Sequence, residues 1–393
     1  EEFLFMRKSS GGDANRKCLN LHHGINISDD FMTAVSKNIE WKLIDPHSKK
    51  IRKSINAREL WRLILETRHE TGEPYLHFVD TSNKHLPEAQ KKLGLSIKQS
   101  NLCSEITLPT DEDRTAVCCL SSVNLAKYDE WSTSPTFIPD MIKMLDNVLE
   151  HFIQSTYNFS YDFQGNVLDM KVKEGMEGFT KAGYSAYRER SIGLGAMGFH
   201  TYLQKLNVPF DSPIATGQNI KMFKQIKELA TKTSMELAEE RGEAPDMGGT
   251  GMRNAHLLAI APNATSSIIC GGTSPSIEPI RANVFIHKTL NGSFQVRNRQ
   301  LHNLLKQKWE NSEELQKEYD TDYQSFKDKV WQSISEHNGS VKHLKFLSDL
   351  ERDVFKTADE IDQNWIIEHA SKRQEFICQA QSVNLFFVAP RIQ

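Results

Sequence analysis

Three side chains able to share redox and proton chemistry stand at alternate positions in Ser100-Asn101-Leu102-Cys103-Ser104-Glu105-Ile106. An extended chain turns successive side chains to opposite faces and leaves residues i and i+2 about 7 Å apart on one face. Read as a strand, the segment aligns the Asn101 amide, the Cys103 thiol and the Glu105 carboxylate, with Leu102, Ser104 and Ile106 behind them. Such a row offers a hydrogen-bonding clamp, a redox-capable sulfur and a proton acceptor to one small molecule. The same alternation also suits an ordinary edge strand with no ligand.

A second constellation is Ala261-Pro262-Asn263-Ala264-Thr265-Ser266-Ser267, directly after the apolar run Leu257 to Ile260. A tight turn of small and hydroxyl residues after a parallel strand exposes backbone N–H groups able to hold an anion. Its plainer counterpart is a strand-to-helix turn with no ligand. Gly193-Leu-Gly195-Ala-Met-Gly198 spells a dinucleotide fingerprint, but Tyr187-Arg-Glu-Arg-Ser191 precedes it where a buried strand is required. Those glycines are read as sites where a helix approaches its neighbour closely. No metal site is expected: His22 and His23 are adjacent and project apart, and the spacing His-Glu-x-x-His is absent. The six cysteines (18, 103, 118, 119, 270 and 378) are too sparse for a disulfide-built scaffold.

The elements that must carry these residues alternate between amphipathic helices and short apolar strands. One helix is expected after Asn56, with Glu59 completing a capping box and Gly72 as its stop. A second follows Pro139 with Met141, Met144, Leu145, Val148, Leu149, Phe152 and Ile153 on one stripe, and a third runs from about Gly217 to Gly242. Strands are expected at Leu257 to Ala261, Ser267 to Cys270 and Val383 to Val388, so the pattern favours an α/β fold with a largely parallel sheet. The charged stretch from Lys306 to Lys345 reads as solvated helical faces. Lys and Arg number 48 against 51 Asp and Glu, a formal charge of -3 that offers no basic excess to a nucleic acid or an anionic membrane. Mean hydropathy is -0.51, and no run approaches the roughly 20 apolar residues of a membrane helix. The opening Glu-Glu-Phe-Leu-Phe-Met carries no basic stretch leading into a signal core, so the expectation is a soluble, cytoplasmic protein.

Taken together, Asn101-x-Cys103-x-Glu105, Cys118 within Cys118-Cys-Leu-Ser-Ser-Val-Asn-Leu125, the Ala261 to Ser267 turn leading to Ile277-Glu-Pro279, and Ile377-Cys-Gln-Ala-Gln-Ser-Val-Asn-Leu385 resemble the catalytic large subunit of class I ribonucleoside-diphosphate reductase. The resemblance implies a ten-stranded α/β barrel, of which this chain is one incomplete domain: the late first half, a finger loop around residues 96–125, and the second half to 393. It implies that ribonucleoside diphosphates are reduced to deoxyribonucleotides for DNA synthesis. Cys103 would become a thiyl radical that removes the ribose 3′-hydrogen, Glu105 would take the 3′-hydroxyl proton, Asn101 would hold the ribose hydroxyls, and Cys118 would be one of two thiols that end as a disulfide. Ser100, Leu102 and Ser104 would line the substrate, and Pro262, Asn263, Ala264, Thr265 and Ser266 would bind its diphosphate. Cys118 lies fifteen residues after Cys103, enough for a hairpin to return the second thiol, whereas Cys119 points elsewhere and reads as structural.

The same resemblance implies partners: a metal-containing small subunit that supplies the radical, and thioredoxin or glutaredoxin as dithiol reductant, with no cofactor bound in this chain. The family's ATP-cone domain, effector-specificity elements, paired tyrosines and tail cysteines have no counterpart here. The expectation is therefore a fragment or split-gene product whose companion segment carries the first barrel strands and the other redox thiol. Two further readings compete. A cobalamin-dependent reductase shares the Asn-x-Cys-x-Glu loop, and a non-catalytic piece could merely complete a barrel supplied by another chain.

Overall fold

A computed structural model describes residues 21–164, 167–289, 292–319 and 322–387. Cys18, the opening six residues and Val388 lie outside the described residues.

The centre of the molecule is a run of parallel extended segments. Strand β5 (Leu120–Asn124) pairs in parallel with β8 (Gly193–Met197), whose far edge bridges Leu194 to Leu258. The Leu257–Ile260 stretch in turn bridges Ile260 to Gln381. These two outer segments are held by sparse hydrogen bonds, for example Leu194 N to the Leu257 carbonyl at 2.8 Å and Ile260 N to the Ala380 carbonyl at 3.1 Å. Every residue of β8 is buried, as expected of a parallel strand covered on both faces. The expected mixed α/β architecture is therefore present, but among the described residues the segments do not close into a barrel. An earlier parallel pair, β1 (Gly24–Ile27) with β4 (Tyr75–Phe78), stands as a separate two-stranded sheet.

Helices cover this array because their apolar residues recur at helical spacing. Helix Phe137–Thr156 buries Ile138, Ile142, Leu145, Leu149 and Ile153. Helix Pro213–Arg241 buries Ala215, Met222, Phe223, Ile226, Ala230 and Leu237, and packs against both the first helix and helix Gln363–Gln374. It begins four residues before the expected Gly217, because the Ser212 hydroxyl accepts from Ala215 N and Pro213 occupies the first turn. The helix expected after Pro139 likewise starts at Phe137, and two members of its expected apolar stripe, Met144 and Val148, are 43% and 53% exposed. The helix after Asn56 spans Ala57–Thr71, with the Asn56 side chain accepting from Arg58 N and Glu59 N and Gly72 in the left-handed region behind it.

Three other expectations are corrected. Ser267–Cys270 is not a strand: Ser266–Ile269 forms one helical turn, closed by Cys270 N donating to the Ser266 carbonyl. Residues 383–387 are not a strand either, because side chains take up their amides. Asn384 N donates to the Glu278 carboxylate and Phe386 N to the Gln363 amide oxygen. The glycines of the 193–198 motif admit strands rather than a helix. A Cβ on Gly193 would lie 2.2 Å from the Leu120 side chain, and one on Gly195 would lie 2.6 Å from the Ala259 carbonyl oxygen. The charged region folds as helices Arg299–Glu310, Glu313–Glu318 and Tyr323–Glu336 around a second core that includes Leu301, Leu305, Trp309, Phe326 and Trp331.

Candidate active site

The Asn101–Ile106 segment is a turn, not the expected strand. Asn101 N donates to the Ile106 carbonyl at 3.2 Å, and Ile106 N donates back to Asn101 Oδ1 at 3.1 Å. Ser104 N closes the turn on the Asn101 carbonyl, with Ser104 in the left-handed region at φ 69°. The period-two pattern therefore misplaces the side chains. Asn101 folds the loop, Leu102 is exposed at the tip, and Cys103 stands partly buried beside it. Ser100, Asn101, Leu102 and Ser104 line a cleft of about 180 Å³ together with His22, His23 and His77.

Below the tip the stem is anchored to the sheet. Ile106 and Leu108 are buried against Ala259. The Glu105 carbonyl accepts from Ala380 N at 2.9 Å, and Thr107 N donates to the Gln379 side-chain oxygen at 3.3 Å. The returning limb is pinned separately, by the buried Arg114 guanidinium on the Asp246 carboxylate at 2.6 and 3.2 Å. Cys118 follows that limb and is exposed, while Cys119 is buried with its sulfur toward the Leu145 carbonyl, the structural role expected of it.

Cys103, Glu105 and Cys118 form one electrostatic neighbourhood. Glu105 is only 2% exposed and one carboxylate oxygen, Oε2, is buried without a hydrogen-bond partner. Burial pushes its pKa up, while contacts with its own backbone amide and the Asn101 side chain pull it down. Burial and the Glu105 charge push the Cys103 thiol up. Cys118 is exposed as a residue, yet the protein packed around its sulfur desolvates the thiol and, with the charges of Glu105 and Cys103, pushes it up to about 11. Both thiols are thus held protonated near neutral pH, which makes them poor thiolate nucleophiles.

The Pro262–Ser266 turn projects from the end of the Leu257–Ile260 segment, adjoining β5 and β8. Asn263, at φ 52°, sends its amide inward to Ser122 Oγ at 3.0 Å and to the Ala196 carbonyl at 3.2 Å. Its side chain therefore fastens the turn to two parallel strands, and Pro262 has no N–H to give. Ala264 and Thr265 are exposed, and Ser266 hydrogen-bonds the Asn263 side chain at 3.1 Å. Sequence reasoning missed Ser122 and Gln379, whose contacts are made across long separations with no local signal. Among the described residues, no group of three or more His, Cys, Asp or Glu side chains could hold a metal ion, and no helix is long and apolar enough to cross a membrane.

Buried parallel segments flanked by helices define an α/β protein, with Cys103, Glu105 and Cys118 electrostatically coupled in the chain that leads into its central strands. Residues 1–250 and 245–393 match the model of the ribonucleotide reductase barrel domain. The chain is 46% identical over 386 residues to a putative ribonucleoside-diphosphate reductase large subunit of Frog virus 3, covering 98% of this chain and 62% of that one. It is 42% identical over 431 residues to the ribonucleoside-diphosphate reductase large subunit of Invertebrate iridescent virus 3, covering 96% and 64%. Among solved structures it is similar to the Actinobacillus ureae class Id ribonucleotide reductase alpha subunit, with a TM-score of 0.77 and 33% identity over 98% of this chain and 62% of that one. The chain belongs to the ribonucleotide reductase barrel-domain family, and it spans a little under two thirds of the length of these relatives.

Proposed function

We propose that this chain supplies the catalytic region of a ribonucleoside-diphosphate reductase. The observation that carries the reading is the gathering of Cys103, Glu105 and Cys118 around a buried carboxylate with one unpartnered oxygen. In this reading the Cys103 thiyl removes the hydrogen at C3′ and becomes a thiol, while Glu105 accepts the proton of the 3′-hydroxyl, which eases departure of the 2′-hydroxyl. Cys118 supplies electrons as one of two thiols that become a disulfide, and thioredoxin or glutaredoxin reduces that disulfide. Asn101, Ser100, Leu102 and Ser104 face the sugar, and the backbone of the Pro262–Ser266 turn receives the diphosphate. The radical comes from a metal-containing small subunit, and a companion alpha segment brings the second redox thiol. The cytoplasm, where thiols stay reduced, is the compartment that fits.

The test is Cys103→Ser in the assembled enzyme. Deoxynucleoside diphosphate formation is expected to vanish while binding of the ribonucleoside diphosphate persists. Retained turnover would show that Cys103 is not the radical site and that the chain acts only as scaffold.

A further inference from the structure

The turn that carries Cys103 and Glu105 closes on itself through Asn101, but its orientation toward the sheet depends on very few polar contacts. Two main-chain groups of the stem reach outside it, and both meet the same dipeptide. The Glu105 carbonyl accepts from Ala380 N at 2.9 Å, and Thr107 N donates to Gln379 Oε1 at 3.3 Å. Gln379 is 6% exposed, and its polar groups reach four different parts of the chain. Its Nε2 donates to the Ile192 carbonyl at 3.0 Å, just before β8. Its backbone N–H donates to the Leu258 carbonyl at 3.2 Å, and its carbonyl accepts from Gln374 Nε2 at 2.9 Å. The fourth contact is the one to Thr107.

The chemistry of those partners leaves no freedom in the amide. Ile192 offers a carbonyl and needs a donor, while Thr107 offers an N–H and needs an acceptor, so only a side chain with both at its tip bridges the pair. We propose that Gln379 is a positioning residue for Glu105: by tying Thr107 to the sheet it fixes the depth at which the Glu105 carboxylate stands beside Cys103. The proposal rests on the reading of Glu105 as the proton acceptor.

Gln379→Met keeps the length and bulk and removes both side-chain hydrogen bonds. In the assembled reductase, kcat is expected to fall about 10- to 100-fold, the usual effect of a displacement near 1 Å at a reacting group, with KM changed less than about threefold. The acid limb of the pH–rate profile is expected to move to lower pH. A loosened stem admits water to Glu105, and relief of burial lets its raised pKa fall. Hydrogen exchange at the Thr107 and Ala380 amides is expected to quicken in the same variant. Unchanged kcat, pH profile and exchange would overturn the proposal. Quickened exchange in a protein whose unsubstituted form reduces no ribonucleotide would overturn the functional reading and leave the clamp standing. Should Gln379→Met fail to fold, Gln379→Asn takes its place. Its amide is one methylene shorter and cannot reach both Thr107 and Ile192, so the same kcat-weighted loss is expected and an unchanged kcat again refutes the assignment.

Discussion

Glu189 is a residue on which pH should act strongly between pH 5 and 8. It lies at the end of helix Thr180–Glu189, is almost wholly buried, and accepts from Gln90 Nε2 at 3.3 Å. Burial pushes its pKa from 4.5 up to about 8, against the pull of Gln90, Arg114 and Ser191 and with the push of Asp246. The folded protein therefore binds a proton that the unfolded chain releases. Its stabilising contribution is complete below pH 4.5 and is lost progressively as pH rises toward about 8. Glu189→Gln removes the titration while keeping shape and hydrogen-bonding capacity. Near pH 5 the variant and the parent should be of nearly equal stability. By pH 8 the variant should be the more stable by on the order of 2–4 kcal/mol, the upper value being about three pH units, from 5 to 8, at 1.36 kcal/mol each and the lower allowing for relaxation of the site around the ionised carboxyl. Urea unfolding of both proteins at unit steps from pH 5 to pH 9 measures the difference directly. Two stability curves that run parallel would refute the buried, protonated carboxyl.

Other consequences follow from the same geometry. Gly195→Ala should destabilise by about 1–3 kcal/mol or prevent folding, because the new methyl would press on the Ala259 backbone, which cannot rotate away as a side chain could; an unchanged melting temperature would contradict the close strand approach. Alkylation of Cys118 should stay slow up to pH 9 and accelerate with an apparent pKa near 11; a midpoint near the ordinary thiol value would mean that Glu105 and the packing do not reach it. Glu105→Gln should lower turnover about 10²- to 10⁴-fold with substrate binding nearly intact, the usual contribution of a general base, and an unaltered turnover number with chemistry rate-limiting would remove Glu105 from that role.

What could be read in the sequence was whatever is decided locally. The long helix ending at Arg241 has its stop written in Gly242, and the helix after Asn56 has both its cap and its stop within the segment. Errors arose where a contact from elsewhere overrides the local pattern. The Asn101–Glu105 alternation looks like a strand because the Asn101 side chain, which bends it into a turn, acts on Ile106 through a bond that periodicity does not register. Ser267–Cys270 is an apolar run too short for periodicity to separate strand from helix. The purpose of Gly193 and Gly195 is visible only with Leu120 and Ala259 alongside, residues more than sixty positions away. The partners of Gln379, at 107 and 192, are equally remote.

The charge balance around the two thiols follows from this placement. Burial raises all three groups, and at the Glu105 carboxyl it outweighs the contacts that oppose it. Asn101 and the Glu105 backbone amide oppose that effect at the carboxyl but not at the sulfurs. Once the carboxyl is charged, its field raises Cys103 and Cys118 further. An ionised Glu105 and two neutral thiols are therefore mutually reinforcing states, and they are the states that the proposed proton acceptance and hydrogen-atom transfer both require. Any change that lets the loop drift from the sheet weakens this coupling at its source, because the three groups share it only while Ile106 and Leu108, packed on Ala259, hold the stem in place.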